Sequence, residues 1–280
     1  MDVRDCSVLI PAYGPASLLD SCLVAIMATT YTHEVLVWDN GVDHGEEEIP
    51  GTRMVDRVLE RNIDSDILLG EKFNLGFSGA CNRLAESSHG EILCFLNCDT
   101  EVQPGWLENL VKAFDDPEVG IAGSRLVRPD GVLHHSGVLV NLENFAWALE
   151  ISDDLPSRDV DAVTGACFAI RRELFEQLGG FEEAFWCCYE DVDLCLRALQ
   201  AGYRIRYVRE SLVMHHKKAT GSMRWAKAYH NISEFNERWQ DKNVPGLCPQ
   251  EARDEIIASA RARGLLSAPP ERDRETSGVG

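Results

Sequence analysis

In the first half of the chain, short apolar runs alternate with stretches in which apolar residues return every three or four positions. Ser7-Val8-Leu9-Ile10 predicts a buried strand closed by Pro11, and Leu18, Leu19, Cys22, Leu23, Ile26 and Met27 then share one helical face. Glu34 to Trp38 predicts a second strand, ending at the turn signal Asp39-Asn40-Gly41. Asp66 to Leu69 is a third and weaker strand pattern. Ser78 to Glu86 reads as a helix, and Glu91 to Leu96 as a buried strand that ends in Asn97-Cys98-Asp99. Pro104 stands where a helix accepts proline, ahead of an apolar face of Trp106, Leu107, Leu110, Val111 and Phe114. This alternation predicts an α/β fold with a mainly parallel central sheet flanked by helices. Ligands bind such sheets at the carboxyl ends of the strands, where Asp39 and Asp99 both fall.

The second half is more mixed. Ile121 to Leu126 and Gly137 to Val140 predict strands, and Val160 to Arg171 is apolar enough to be buried. A short helix, Arg172 to Gln177, is stopped by Gly179-Gly180, and Glu190 to Ala201 is a strong amphipathic helix with Gly202 just past its end. Tyr203 to Val208 and Leu212 to Met214 read as two strands, Met223 to Trp239 and Glu251 to Arg263 as helices. The expected organisation is one α/β domain over 1–222, a C-terminal helical extension over 223–265 and a flexible tail over 266–280.

Composition narrows the function. With 280 residues, 45% of them hydrophobic, the chain can bury a sizeable core. Its 46 acidic residues against 27 basic ones give a formal charge of −19, which repels a phosphate backbone and argues against nucleic acid as a partner. A phosphorylated small substrate then needs a metal or a few placed cations. No apolar run is long enough to span a bilayer, and the N-terminus lacks the basic start and long apolar centre of a signal peptide. A cytoplasmic location follows as the expectation, with at most peripheral contact at the inner face of the membrane. Ten cysteines are scattered through apolar runs without a CxxC, which predicts reduced, mostly buried thiols. Neither GxGxxG nor GxxxxGK occurs, so dinucleotide dehydrogenases and P-loop kinases are disfavoured.

What remains is a set of acids and amides at strand ends: Asn74-x-Gly76-Phe77-Ser78 with Asn82, Leu96-Asn97-Cys98-Asp99-Thr100 followed by Pro104-Gly-Trp-Leu107, and Gly179-Gly180-Phe181-Glu182-Glu183 followed by Glu190-Asp191-Val192-Asp193-Leu194. Together, over about residues 6 to 240, these resemble the family 2 inverting glycosyltransferases of GT-A fold, in particular the rhamnosyltransferase-like branch. The resemblance implies a nucleoside diphosphate sugar donor and a saccharide or glycoconjugate acceptor. It implies that Asp39 accepts hydrogen bonds from a pyrimidine base, although Asp39 also suits the cap of its own turn. Pro11, Ala12 and Tyr13 would line the base pocket, with Asn74, Gly76 and Asn82 beneath the nucleotide. The family places an Asp-x-Asp where this chain has Asn97-Cys98-Asp99, leaving Asp99 as the one carboxylate for Mn²⁺ or Mg²⁺. His215 matches a position that can complete the metal shell, with His216 beside it leaving the register open.

By the same resemblance Asp191 is the base that takes the acceptor proton, with Glu190 as the alternative. Acids at a helix N-terminus are also stabilised by the dipole, so capping competes with that reading. Asp193 is structural or acceptor-binding, and Trp186 and Tyr189 are a sugar platform or core. His134-His135 lies in a loop resembling one near the acceptor side, and neither histidine is taken as a site residue. The Arg171-Arg172 pair could meet a diphosphate but reads rather as a solvated face, and the helix over 249–263 offers a surface for a homodimer. Two other readings compete: a sugar nucleotidyltransferase, disfavoured because Pro11 to Pro15 holds no Lys or Arg, and a non-catalytic scaffold of the same fold, which Asn97 favours and the Glu190-Asp191 pair opposes.

Overall fold

The computed structural model describes residues 5–43, 67–70, 74–143, 146–152, 154–217 and 223–262. Its elements follow the predicted alternation. Strands β1 (Cys6–Pro15), β2 (His33–Asp43), β3 (Ile67–Gly70) and β4 (Ile92–Leu96) are joined in parallel in the order β4-β1-β2-β3. β11 (Cys167–Arg171) inserts antiparallel between β4 and β6 (Val119–Val127), and β12 (Arg204–His215) then runs parallel to β6, with β10 (Arg158–Val160) at the edge. β5 (Thr100–Val102) pairs with the end of β12, and β7 (Leu133–His135) folds back on the end of β6. β8 (Val138–Asn141) and β9 (Trp147–Glu150) form a separate hairpin.

The unbroken apolar runs of β1, β2 and β4 exist because the sheet is covered on both faces. Leu9, Leu36, Leu93 and Phe95 point to one side, where they meet α2 (Gly76–Ser87), α5 (Glu190–Gln200) and α6 (Met223–Trp239). Their neighbours Val8, Ile10, Val35, Val37, Cys94 and Leu96 point to the other, against α1 (Ala16–Ile26) and α3 (Trp106–Lys112). α4 (Arg172–Gln177) adds Leu174 and Phe175 to the first core.

Several details depart from the sequence reading. β1 does not stop at Pro11; it continues past an irregularity at Ala12/Gly14 to pair Pro15 with Asp43. The two strands expected over 203–214 are one strand, β12, with a register shift between Val208 and Leu212. Arg171 and Arg172 are not a solvated face: Arg171 donates to the carbonyls of Phe114, Asp116 and Val119, and Arg172 to those of Ala85 and Gly90. Their guanidinium groups thereby tie the turns around 85–90 and 114–119 to the start of α4 (Arg172–Gln177).

The boundary expected near 222 falls later, between Leu247 and Cys248. α6 belongs to the first unit because Phe235 and Trp239 are buried in its core and the Asn236 side chain bonds both the N–H and the carbonyl of Ala146. The second unit holds α7 (Gln250–Ala262), and the tail expected from 266 lies outside the described residues. Among the described residues no helix is long and apolar enough to cross a membrane, and none of the ten cysteines is in a disulfide.

Candidate active site

A cleft of about 270 Å³ opens at the carboxyl ends of β1, β2 and β4. Pro11 and Tyr13 from β1, Asn40 from β2, Asn74 ahead of α2 and Gly76 at its start form one wall. That wall is tied together by side-chain amides. The Nδ2 of Asn40 donates to the Gly76 carbonyl at 2.8 Å, its Oδ1 accepts from the Leu75 N–H at 2.7 Å, and Asn74 Oδ1 accepts from the Gly76 N–H at 2.8 Å. Gly76 is required here: its φ is +74°, and a Cβ would lie 2.4 Å from the Trp186 carbonyl oxygen. Asn40 sits one residue after the expected Asp39, and only its burial among backbone groups reveals it. Asp39 is half-buried and not on the cleft wall; its Oδ1 accepts from the N–H groups of Gly41 and Val42, the capping arrangement. Ala12 is buried behind the wall.

The floor is the loop after β4. Asn97, Cys98 and Asp99 all line the cleft. The Asn97 backbone is held by Ala166 (2.9 Å) and by the Thr100 hydroxyl (2.6 Å). Cys98 Sγ contacts the Tyr13 backbone, and burial pushes its thiol up to about 12, so it serves as a clip between two loops rather than as a nucleophile. Pairing of β5 with β12 sets His215 opposite Thr100, and this places its Nε2 3.3 Å from Asp99 Oδ1. Both side chains are buried. His216 turns the other way and meets Glu101 Oε1 at 2.7 Å, as alternation past a strand end requires. The structure thus brings His215, not His216, to Asp99.

The third group comes from the loop before α5. Cys188 and Tyr189 adopt φ of +83° and +73°, conformations costly for residues with a Cβ, and the Asn231 amide of α6 holds the Cys187 and Cys188 carbonyls at 2.6 and 2.9 Å. This loop sets Trp186, Tyr189, Glu190 and Asp191 on the cleft. The Asp191 carboxylate accepts from the Gly165 N–H at 2.7 Å and from the Val192 N–H at 2.8 Å, which fixes its direction on the cleft. Glu190 is buried and close enough to Cys81 for its charge to add to burial in raising that thiol's pKa. Tyr189 also packs on Phe235, with ring centroids 4.8 Å apart.

Two expected residues lie elsewhere. Asn82 lines a separate hollow, where it donates to the Phe181 carbonyl and accepts from the Phe181 N–H, clamping the Gly-Gly-Phe turn. Asp193 is fully buried, with one oxygen on Arg197 (2.8 Å) and the other on Trp239 Nε1 (2.9 Å). Its role is structural because both oxygens are engaged inside the core.

The wall formed by the β8–β9 hairpin has no counterpart among the expected residues. Val138, Ala148 and Glu150 face the cleft, with His134 and Lys217 beside them. Glu150 Oε1 lies 3.4 Å from His134 Nε2 and 3.3 Å from His135 Nδ1, and Oε2 lies 3.8 Å from Lys217 Nζ. Burial works to raise the Glu150 pKa, but the two histidines outweigh it and hold the carboxyl well below its usual range. The His134-His135 dipeptide was visible in sequence; its partner Glu150 was not.

A mixed, mostly parallel sheet between two helical layers, with a cleft at its carboxyl edge, is the architecture of GT-A glycosyltransferases. GalNAc-T7, solved with UDP, GalNAc and Mn²⁺, superposes with a TM-score of 0.67 at 16% identity, covering 94% of this chain and 58% of that one. The mannosyltransferase PcManGT from Pyrobaculum calidifontis, solved with GDP-Man and Mn²⁺, gives 0.62 at 20% identity over 95% and 76% of the two chains. The chain belongs to glycosyl transferase family 2, whose model matches residues 7–179. A model described as the N-terminal domain of galactosyltransferase matches residues 150–218. The O-antigen biosynthesis protein RfbC of Myxococcus xanthus is 35% identical over 229 residues, 76% of this chain but only 17% of that protein's length. An N-acetylglucosaminyl-diphospho-decaprenol L-rhamnosyltransferase of Mycobacterium tuberculosis is 29% identical over 241 residues, 75% of each chain.

Proposed function

We propose that the cleft transfers one sugar, with inversion, from a UDP- or dTDP-linked donor to a hydroxyl of a saccharide-type acceptor, in polysaccharide or glycoconjugate synthesis. The observation that carries this reading is the convergence of the Asp99–His215 pair and Asp191 on one cleft. The amide-tied wall around Pro11, Tyr13, Asn40 and Asn74 suits the nucleoside. Relatives named as rhamnosyltransferases favour a deoxyhexosyl donor.

Asp99 and His215 offer one carboxylate and one imidazole, a donor set that suits Mn²⁺ or Mg²⁺. Among the described residues no three of His, Cys, Asp and Glu are grouped to hold an ion unaided, so further ligands would have to come from the diphosphate and water. A bound ion would neutralise charge on the departing diphosphate. Asp191 takes the proton of the acceptor hydroxyl as its oxygen bonds to the anomeric carbon and the bond from that carbon to the diphosphate oxygen breaks. Lys217, on the cleft rim, adds a positive charge near the same end.

The test is release of nucleoside diphosphate from UDP-, dTDP- and GDP-sugars with Mn²⁺, Mg²⁺ or EDTA, beside a binding titration. Turnover of one donor that EDTA abolishes supports the reading. Absence of nucleotide binding across the panel overturns it.

A further inference from the structure

His215 has an unusual setting for a residue beside a candidate ion. Its Nε2 faces Asp99, but its Nδ1 is buried and makes no hydrogen bond among the described residues. Histidines that ligate metals ordinarily have the second ring nitrogen held by a carboxylate or carbonyl, which fixes the ring's orientation. Here the ring is instead packed against His134, with centroids 5.5 Å apart and planes at 44°.

His134 is itself buried, and the Glu150 carboxylate abuts its ring edge, Nε2 to Oε1 at 3.4 Å, a contact without hydrogen-bond geometry. Glu150 ends β9, and its carboxylate gathers His134 and His135 from β7 and Lys217 from beyond β12 around one point. The register that pairs Val138 with Glu150 puts that point at the open end of the hairpin, on the cleft wall.

We propose that Glu150 is a positioning residue: by holding His134, it supplies the surface that orients the His215 imidazole toward Asp99, in place of the missing hydrogen bond at Nδ1. The role as a positioner of an ion-side ring rests on the proposed transferase reading, whereas the coupling from Glu150 through His134 to His215 does not. Glu150 meets His134, and His134 packs on the ring of His215 beside Asp99, so its loss is expected to act on the geometry of the Asp99–His215 pair.

Glu150→Gln keeps the size of the side chain and removes its charge. In ¹⁵N-histidine-labelled protein without ligand, two-bond ¹H–¹⁵N spectra should show the His134 and His215 ring signals both shifted by this substitution. An unmoved His215 ring overturns the coupling, whatever the protein binds. In the second arm, Mn²⁺ is titrated into protein saturated with UDP or dTDP and followed by water-proton relaxation. Glu150→Gln should weaken Mn²⁺ by about tenfold or more. A fall in melting temperature with unchanged Mn²⁺ affinity would assign Glu150 a purely structural role. His134→Phe, which keeps a ring against His215 but cannot meet Glu150, should weaken Mn²⁺ in the same direction and covers the case in which Glu150→Gln fails to fold. Wild-type protein that binds no Mn²⁺–nucleotide would count against the transferase reading, while the spectra still decide the coupling.

Discussion

His215 Nε2 stands 3.3 Å from Asp99 Oδ1, although the two residues come from the end of β12 and the loop after β4. Strand β5 makes this possible, since its antiparallel pairing brings Thr100 to His215. With Asn97 neutral, Asp99 is the one carboxylate on this loop that lines the cleft. Asp99→Ala should therefore weaken Mn²⁺-dependent nucleotide binding by about tenfold or more, while nucleotide affinity in EDTA changes little. Isothermal titration with and without Mn²⁺ separates the two.

Asp191 is aimed by the Gly165 and Val192 N–H groups, so replacing it by Asn keeps the shape and removes the base. Asp191→Asn should retain nucleotide binding and lose transfer by about 10²–10⁴-fold, the range for a general base. Single-turnover transfer measured beside a binding titration gives the answer, and near-normal turnover would remove Asp191 from the role.

Gly76 combines a φ of +74° with a Cβ position 2.4 Å from the Trp186 carbonyl. Gly76→Ala should cost about 1–3 kcal/mol in backbone strain alone. The clash pushes the Trp186 loop away from α2, whose Phe77 N–H uses that carbonyl at 2.8 Å. Thermal melts should show the loss, with weaker nucleotide binding beside it.

Glu34, far from the cleft, accepts from Ser7 Oγ at 2.6 Å and from the His89 N–H at 2.6 Å. Burial tends to raise its pKa, but these hydrogen bonds outweigh it and the value is lowered from 4.5. A depressed folded value means the unfolded chain binds the proton more readily. The contribution is therefore complete above about pH 4.5 and fades as pH falls through the lower folded value. Melting curves from pH 7 to 3 should show Glu34→Gln less stable than wild type at neutral pH, the gap narrowing on acidification.

Asn82→Ala should act on stability and spare nucleotide affinity. Its amide satisfies both backbone groups of Phe181, at 3.0 and 2.9 Å, in a hollow apart from the cleft. Leaving such groups unpaired costs about 1–3 kcal/mol, visible in urea denaturation. A large loss of nucleotide affinity in a folded variant would return Asn82 to the site.

Apolar patterning located the helices and the long strands, because burial on both sheet faces leaves unbroken apolar runs and one-sided burial leaves a helical period; the three- and four-residue strands β5, β7, β9 and β10 are too short to carry such a pattern. The sequence also determined that Asn97, Asp99, Glu190 and Asp191 stand at element ends, since Asn-Cys-Asp and Glu-Asp interrupt those patterns abruptly. What each polar group meets is settled by how the elements pack. Asp191 and Asp193 share one helical turn, yet one faces the cleft and the other is closed between Arg197 and Trp239. His215 and His216 are neighbours, and pairing with β5 alone selects the one that reaches Asp99. Glu150 carries no local signal at all, because the histidines and lysine it gathers come from other segments. Periodicity reports how a residue sits on its own element, while the partner of a side chain is set by the packing of distant elements.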